Sequence, residues 1–385
     1  MTDSNETIVM TGATGFLGSH LMAALVQRGD RLIILGRPQG TRPLRERVDA
    51  LLASLGATPK KHQVDVLEAD FSDPSCGLNW HQYAGVCLKA THFLHCASDT
   101  RFSETNRLAS IQTNVRSLAS IIELARRSRA AYFHYVSTAY VFGAETSSCP
   151  EAPVIAARHA NVYEETKAWA ERDVAEECSR LGIPYTILRP SIVYGDSRTG
   201  QATRFTALYH HVRSLSAIRD IYLKEIRELG GEKARRHGIY LDADGTLHLP
   251  LRIHLPRRGS VNLIPIDYFV AAVLAVLDRP DSDTIYHLTS NRPVSMEELA
   301  CYCERFLNIR GIKVHYGPAP EGFAPNPAEA LFDKFVEPYR PYLSDIRNFE
   351  RRHTDVATEG IDPPELTYDV FERCMAFAAG ANWGR

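Results

Sequence analysis

The sequence of 385 residues lacks the features that mark membrane proteins and nucleic-acid binders. No apolar run reaches the roughly 18 residues that a membrane-spanning helix needs. The longest such run, at residues 268–277, has the length of a buried helix. The net charge is only −2, whereas proteins that bind nucleic acids or membrane surfaces usually carry a basic excess. We therefore expect neither a membrane span nor a nucleic-acid partner.

The sequence also lacks a metal-binding pattern and a leader. Its eight cysteines are scattered, and Cys301 and Cys303 have neither the C-x-x-C pairs nor the histidine spacing of a zinc site. Reduced thiols are typical of the cytoplasm, and the polar first seven residues do not resemble a signal peptide. A hydrophobic content of 44% with 23% charged residues is that of a globular protein. We expect a cytoplasmic protein without a metal.

What is present is a glycine pattern in residues 8–29. An apolar run ends in Gly12, Gly15 and Gly18, after which leucines recur at helical spacing; a second strand-like run follows at residues 31–35. Without Cβ atoms the backbone can approach a pyrophosphate, and the first N–H groups of the helix face that anion. Glycine turns are common, but this position between strand and helix predicts a dinucleotide site. The predicted contacts of the turn are Gly12, Thr14, Gly15, Phe16, Leu17 and Gly18.

The residue after the second strand indicates which dinucleotide is bound. An acidic side chain near this point binds the ribose 2′-hydroxyl of NAD, whereas an arginine can pair with the 2′-phosphate of NADP. Arg37 therefore favours NADP. Arg42, Arg45 and Arg47 follow in the next helix, where they either assist or are solvated surface charges.

Strands and helices alternate strictly through the first half of the chain, which predicts a parallel sheet covered on both faces. The expected fold class is α/β, with a doubly wound Rossmann sheet in residues 1–195 and a smaller mixed α/β lobe in residues 196–385. Segments at about 261–290 are expected to return to the sheet. In the second half, residues 247–255 predict an edge or twisted strand because Pro250 interrupts them.

The ends of two predicted strands add further cofactor contacts. These are Asp70 and Phe71 after the third strand, and Ala97 and Ser98 after the fourth. Asp70 either meets the adenine or caps a turn, and the sequence leaves both alternatives open.

Tyr163 and Lys167 lie four residues apart in a predicted helix, so they share one face. An ammonium beside a phenol favours the phenolate and lowers its usual pKa of about 10, and such a tyrosine can exchange a proton with a substrate. The spacing alone occurs by chance on many helices. Here it follows the glycine turn, Arg37, and a strand that ends in Ser137 and Thr138.

This combination resembles the extended short-chain dehydrogenase/reductase family, and the match runs over residues 8–195. The resemblance implies that Thr138 holds the substrate carbonyl oxygen and that Tyr163 donates or accepts the proton. It also implies that Lys167 anchors the nicotinamide ribose and lowers the pKa of the tyrosine. Asn114, in a predicted helix at about 108–127, is implied to support a proton relay. Pro190 and Ser191 are implied to meet the nicotinamide carboxamide.

Several branches of the family remain to be separated. Dehydratases usually follow the active-site threonine with an acidic pair, but Ala139 and Tyr140 stand here. Epimerases generally retain NAD, whereas Arg37 favours a cofactor that is consumed. Residues 95–98, 136–141 and 261–268 resemble the thioester-reductase and fatty-acyl-reductase branch. That resemblance implies reduction of an acyl thioester by NADPH to an aldehyde or on to an alcohol. A sugar-nucleotide epimerase or reductase, or a non-catalytic NADP sensor, is the alternative.

The implied thioester is carried by CoA or by an acyl or peptidyl carrier protein. Basic residues in the second half, Lys233, Arg235, Arg236 and His237 together with Arg257 and Arg258, either meet such a carrier or are solvated. The chain is expected to be a monomer or a homodimer, and the sequence leaves this choice open.

Overall fold

The computed structural model describes residues 6–143, 146–155 and 158–384. Its β-strands are, in chain order, β1 (Thr7–Thr11), β2 (Arg31–Gly36), β3 (Val64–Glu68), β4 (His92–His95), β5 (Tyr132–Val136), β6 (Ser148–Cys149), β7 (Tyr185–Pro190), β8 (Ile192–Tyr194), β9 (Tyr240–Leu241), β10 (Leu247–Leu255), β11 (Ser260–Val261), β12 (Leu263–Pro265), β13 (Thr284–Leu288), β14 (Val294–Ser295), β15 (Ile309–Tyr316) and β16 (Asn348–Phe349).

The α-helices are α1 (Phe16–Arg28), α2 (Leu44–Ser54), α3 (Trp80–Lys89), α4 (Arg107–Ile111), α5 (Leu118–Arg127), α6 (Val162–Leu181), α7 (Leu208–Leu229), α8 (Glu232–Arg235), α9 (Ile266–Asp278), α10 (Met296–Leu307), α11 (Pro327–Val336), α12 (Arg352–Ala357) and α13 (Tyr368–Gly380). None of the helices in the described ranges is both long enough and apolar enough to cross a membrane.

The chain forms two compact units. The first contains the chain up to Ser191 together with Ile266–Thr289 and Asn348–Asp362. The second contains Ile192–Pro265, Ser290–Arg347 and the chain from Pro363. The first unit therefore includes two later segments of the chain. The chain passes from one unit to the other several times, and the boundary predicted near residue 195 is only one of these places. The roles expected of the two units stay predictions.

A seven-stranded parallel sheet organises the first unit, in the order β13-β7-β5-β4-β1-β2-β3. This confirms the predicted α/β fold class. Residues on both faces of the central strands are buried, as the near-continuous apolar runs of a two-sided parallel sheet require. The strand order reverses direction between β1 and β4, and such a point leaves a crevice at the carboxyl ends of the two strands. The glycine turn begins at this place.

One part of the core of the first unit lies between the sheet and the helices α3, α5 and α6. Val9, Phe93 and Phe133 of the sheet and Ala170 and Val174 of α6 are almost completely buried there. All eight cysteines are free thiols. Within the described ranges, no cluster of three or more potential metal ligands occurs.

One predicted helix is divided in the structure. The segment expected at about 108–127 forms α4, a π-helical turn at Gln112–Arg116 and then α5. The wide turn inserts an extra residue and carries the buried Asn114. Such π-turns frequently occur at functional positions, and amphipathic spacing alone does not reveal them.

The second unit contains a three-stranded sheet in the order β15-β10-β9. β10 is its central strand, although β9 pairs only with Leu247 and His248. The pairing with β15 shifts register between His248 and Leu251, at Pro250, which has no N–H to donate. The proline therefore lies at an irregular position of β10. On the side of β9, most of this strand has no hydrogen-bonded neighbour among the described strands. α10 begins with the expected capping box of Ser295 and Glu298.

Candidate active site

The turn between β1 and α1 has the close backbone packing that its glycines predict. Gly12 adopts a φ of 70°, and a Cβ atom there would lie 2.5 Å from the backbone nitrogen of Ala97. A Cβ atom on Gly18 would lie 2.2 Å from the Gly12 carbonyl oxygen. Gly15 occupies the N-cap of α1 and has no side chain to cap the helix. The N-terminal N–H groups of α1 are thus the natural donors for an anionic group at the turn.

Arg47 is the basic residue of the following helix that reaches this turn. Its Nη2 atom donates to Thr14 Oγ1 at 2.7 Å, and its Nη1 atom donates to the carbonyl oxygen of Arg37 at 3.0 Å. Arg45 instead donates to the carbonyl oxygen of Val64 at 3.2 Å. The structure therefore shows which of these arginines contacts the glycine turn. Arg47 joins that turn to the end of β2, where the exposed Arg37 lies.

Asp70 caps a turn. Its carboxylate accepts hydrogen bonds from Ser72 N at 3.0 Å and Ser72 Oγ at 2.7 Å. These bonds, with a smaller contribution from Arg37, hold the pKa of Asp70 below its usual value. The capping alternative is therefore the one observed, and contact of Asp70 or Phe71 with adenine stays a prediction.

Asn114 connects the segment after β4 to α6. Its Oδ1 atom accepts from Asp99 N at 2.6 Å and from Ser98 Oγ at 3.2 Å. Its Nδ2 atom donates to Thr166 Oγ1 at 3.0 Å and to the Asp99 carbonyl oxygen at 2.9 Å. Ala97, at the start of this segment, donates its N–H to Thr11 Oγ1 at 3.3 Å. Asn114 thus fixes the backbone beside the glycine turn, and its role in a proton relay stays a prediction.

Thr138, Tyr163 and Lys167 converge at the carboxyl end of β5. The side chains of Thr138 and Tyr163 are hydrogen-bonded to each other. Lys167 Nζ donates to Val136 O at 2.7 Å and to Tyr135 Oη at 3.1 Å. α6 presents both Tyr163 and Lys167 in its first two turns, beginning from an N-cap at Asn161 whose side chain accepts from Glu164 N at 3.1 Å.

The protonation states differ from the sequence expectation. Lys167 was expected to lower the pKa of Tyr163, but burial raises the pKa of this phenol to about 12, against a smaller lowering by the Thr138 hydrogen bond. The ammonium of Lys167 is directed to Tyr135 and Val136 instead. Burial lowers the pKa of Lys167 to about 8. At neutral pH the chain by itself therefore holds a neutral phenol and a protonated amine, so the expected lowering of the Tyr163 pKa is not found in the chain by itself.

Sequence reasoning placed Arg189 at the start of the segment implied to meet the nicotinamide carboxamide, but it missed the buried ion pair that Arg189 forms. Arg189 is completely buried, and its guanidinium donates to both carboxylate oxygens of Glu171, at 2.9 and 2.6 Å. The guanidinium also lies 3.2 Å from His287 Nε2, and burial with this nearby charge lowers the pKa of the histidine to about 3. The sequence did contain a signal for this ion pair. Glu171 lies one helical turn after Lys167, and Arg189 carries the complementary charge.

The residues of the site fit a bound dinucleotide. A Cβ atom at Gly12 would collide with the backbone of Cys96 and Ala97, so only glycine lets the turn pack against the segment that follows β4. Ser191 is buried, and its Oγ atom has no hydrogen-bond partner among the atoms of the described ranges. A buried hydroxyl without a partner is costly unless a ligand group satisfies it. The nicotinamide end of a dinucleotide supplies such a group.

Comparison with known protein families gives the classification of the chain. The model of an NAD-binding family described as male sterility protein matches residues 10–273. The chain belongs to this family of extended short-chain dehydrogenases/reductases. The matched residues include the glycine turn and the three side chains at the end of β5.

Two curated relatives are similar in sequence to this chain. Human fatty acyl-CoA reductase 2 is 26% identical over 327 residues, which cover 74% of this chain and 58% of that protein. The non-reducing polyketide synthase pkiA of Emericella nidulans is 30% identical over 228 residues, covering 56% of this chain and 9% of that protein. The chain thus spans less than two thirds of the length of either relative.

A similar solved structure is the terminal R domain from the myxalamid PKS-NRPS biosynthetic pathway. It aligns with a TM-score of 0.75 and 22% identity, covering 100% of this chain and 92% of that domain. A likeness at this identity establishes the shared fold and leaves the chemistry to be argued from the site.

Proposed function

We propose that the chain is an NADPH-dependent reductase that converts an acyl thioester, carried by CoA or by a carrier protein, into an aldehyde. The observation that carries this proposal is the hydrogen-bonded pair of Thr138 and Tyr163, with the phenol protonated at neutral pH. A reductase that adds hydride to a carbonyl needs a proton donor at the oxygen, and a neutral phenol is one. A further reduction of the aldehyde to an alcohol is an extension of the same chemistry.

The residues act on the thioester oxygen in the following way. NADPH, when bound, supplies the hydride that the carbonyl carbon accepts. Thr138 and Tyr163 hydrogen-bond the oxygen as negative charge develops on it, and Tyr163 passes its proton to that oxygen. The hemithioacetal formed in this way breaks its C–S bond, the hydroxyl proton passes to the sulfur, and the aldehyde and a free thiol remain. Lys167 holds the nicotinamide ribose, and its positive charge stabilises the phenolate that remains after proton transfer.

The preference for NADPH rests on Arg37 and Arg47. Arg47 is fixed between Thr14 and the Arg37 backbone, so its guanidinium lies where the ribose phosphate of a dinucleotide on this turn is expected. Two guanidinium groups at this point favour a 2′-phosphate over a free hydroxyl.

Replacement of these arginines tests the cofactor preference. Arg37→Ala and Arg47→Ala should each raise the Kd of NADPH by about tenfold or more, because each removes a charge-assisted hydrogen bond, with a much smaller effect on NADH. Arg45→Ala, on the same helix, is the matched control. Equal losses for both cofactors would show that the arginines support the turn and do not select the phosphate.

The substrate class is inferred from the relatives and from the second unit. One relative is named as a fatty acyl-CoA reductase, and a structural neighbour is a thiolation-reductase di-domain, with a TM-score of 0.71 at 14% identity. The second unit contains an apolar cavity of about 70 Å³, lined by α7, β10 and α10 among other elements. This lining supports the assignment of the second unit as the lobe that binds the acyl group.

A substrate panel tests the reaction. The chain is mixed with NADPH and with octanoyl-CoA, an octanoyl carrier protein, octanal or a nucleotide sugar, and both NADPH oxidation and thiol release are followed. We expect oxidation with thiol release for a thioester. NADPH oxidation with the nucleotide sugar alone would assign the chain to the sugar-nucleotide reductases, and tight NADPH binding without any turnover would indicate a sensor.

The carrier is proposed to meet the basic residues around α8. Lys233, Arg235 and Arg236 are exposed, and none of them forms an ion pair with another residue of the described ranges. In contrast, Arg258 pairs with Glu297 at 3.3 Å. Cations that lie in α8 or directly after it, and that have no ion-pair partner in the described ranges, fit an acidic carrier surface.

Charge reversal tests this surface. Arg235→Glu together with Arg236→Glu should raise KM for the carrier-bound substrate several-fold and leave KM for an octanoyl thioester of a short thiol unchanged. Lys60→Glu with Lys61→Glu is the control, because it makes the same change of charge at an exposed pair in the first unit. Equal effects on both substrates would contradict carrier docking at α8.

A further inference from the structure

Tyr135 is a buried side chain of β5 that touches Lys167 and has no part in the proposed proton transfer. Its hydroxyl oxygen accepts a hydrogen bond from Lys167 Nζ at 3.1 Å. The same ammonium lies 4.5 Å from the centroid of the Tyr135 ring. With the Val136 carbonyl oxygen at 2.7 Å, the cation has two oxygen acceptors and an aromatic face at the end of one strand.

We propose that Tyr135 is a positioning residue that holds the Lys167 ammonium in place and keeps it protonated at the carboxyl end of β5. The proposal deepens the proposed function and rests on it, because Lys167 is there assigned to the cofactor. Lysine carries a flexible four-carbon stem, so a buried ammonium needs fixed partners to keep one position. Tyr135 and Val136 provide these partners from a rigid strand, before any cofactor binds.

The other groups around Lys167 do not replace these contacts. Glu171 of α6 favours the charged amine, but its carboxylate is bound by Arg189. Burial raises the pKa of the Cys96 thiol to about 12 and lowers that of His95 to about 3, so both are neutral at pH 7. Tyr163 is likewise a neutral phenol. The direct partners of the cation are therefore the neutral oxygens of Tyr135 and Val136.

The proposal predicts a change in the titration of Lys167 when the hydroxyl is removed. In Tyr135→Phe the ring remains but one acceptor for the charged amine is lost, so the pKa of Lys167 should fall by about one pH unit. The pH above which kcat declines should fall with it. Tyr132→Phe is the matched control, because this tyrosine lies on the same strand and its hydroxyl donates to the Pro280 carbonyl oxygen at 2.9 Å.

The measurement is an NMR titration of the cofactor-free chain labelled with ¹³C-lysine. The chain has eight lysines, and the Lys167 signal is assigned by its absence in Lys167→Arg. A lower pKa in Tyr135→Phe, with no change in Tyr132→Phe, supports the proposal. An unchanged pKa in a folded Tyr135→Phe overturns it.

A second measurement, made on the unaltered chain, tests the proposal if the Tyr135→Phe variant does not fold. In the unaltered chain, the ε-protons of Lys167 should show nuclear Overhauser contacts with the ring protons of Tyr135, and their absence overturns the proposal. Neither measurement uses NADPH or a thioester. The result is therefore independent of whether the chain reduces thioesters, and loss of the proposed function would be seen separately in the substrate panel.

Discussion

Lys167 carries its charge in a place from which solvent is largely excluded, and this has a cost in stability. The side chain is about 2% exposed, and burial lowers its pKa to about 8 from a usual value of 10.5. Burial disfavours the charged form, and the nearby Glu171 carboxylate offsets only part of this loss. The fold alone does not require a charge here, and the proposed role of Lys167 at the cofactor accounts for it.

The cost predicts a pH-dependent difference between the chain and its Lys167→Met variant. Between pH 8 and pH 10.5 the unfolded chain binds more protons at Lys167 than the folded chain, so the free energy of unfolding rises with pH in this window. Relative to Lys167→Met, which lacks the group, the free energy of unfolding should gain about 2 kcal/mol from pH 7 to pH 10. Urea denaturation of both proteins at the two pH values measures this gain. A constant difference would contradict the lowered pKa.

At the scale of single residues, the sequence predicted which side chains share the helix face, but it did not predict their protonation. The spacing of Tyr163 and Lys167 placed them on one helix face, and the structure has them there. The pKa of Tyr163 is raised and not lowered, because the expectation considered the charge of Lys167 and ignored desolvation. The orientation of the ammonium depends on Tyr135, a residue of a different element whose contact no local pattern reveals.

At the scale of elements, the glycine turn requires glycine at some positions more than at others. Gly12→Ala combines a positive φ with a Cβ atom 2.5 Å from Ala97 N, and Gly18→Ala places its Cβ atom 2.2 Å from the Gly12 carbonyl. A non-glycine residue in a strained backbone region costs about 1–3 kcal/mol before any clash is counted. Both variants should lose at least about tenfold in NADPH affinity and have a lower Tm.

A graded series checks this expectation. Gly15→Ala should cause smaller losses of stability and of NADPH affinity, because the added Cβ atom would lie 3.2 Å from the Gly12 carbonyl oxygen, its nearest neighbour. Gly85→Ala, in α3 with open space around it, should raise stability by up to about 1 kcal/mol through helix propensity. Thermal unfolding and NADPH titration of the four variants give the order. Equal losses at Gly12 and Gly85 would contradict the structural account of the turn.

The buried ion pair between α6 and β7 is the second feature at this scale. Arg189→Met leaves the Glu171 carboxylate buried without its partner, which typically costs about 3–5 kcal/mol. The double variant Arg189→Met with Glu171→Met should recover part of this loss. Because α6 carries Tyr163 and Lys167 while β7 leads into Ser191, kcat should fall as well.

An exposed pair on the same helix provides the control for the ion pair. Arg180 and Glu177 lie at the solvent-exposed end of α6, so Arg180→Met should cost less than about 1 kcal/mol. Urea denaturation compares the three variants. A loss for Arg189→Met no larger than that for Arg180→Met would show that the buried pair does not hold α6 to β7.

At the scale of the whole molecule, alternation of strands and helices was sufficient for the fold class, but not for the path of the second half. Residues 348–362 belong to the first unit, where β16 pairs with β6 over two residues on each strand. Glu151 reinforces this contact by accepting hydrogen bonds from Thr354 Oγ1 at 2.5 Å and from His287 N at 2.8 Å. Strands this short carry no periodicity, and their partners lie about 200 residues apart, so sequence patterns do not predict the pairing.

The length of the relatives limits what the family comparison says about the reaction of this chain. The chain covers only 9% of pkiA and 58% of human fatty acyl-CoA reductase 2, so the first curated matches are longer proteins with further segments. The reaction proposed here therefore depends on the side chains at the end of β5 and on the arginines at the glycine turn, which are properties of this chain.

The central claim is that Tyr163 protonates a thioester carbonyl that receives hydride from NADPH. The most direct test is a single-turnover experiment with octanoyl-CoA, in which NADPH oxidation and free thiol are measured together in the chain and in Tyr163→Phe. We predict one thiol for each one or two NADPH consumed, and a rate in Tyr163→Phe reduced by about 10²–10⁴-fold with unchanged NADPH affinity. Turnover that persists undiminished in Tyr163→Phe would contradict this account.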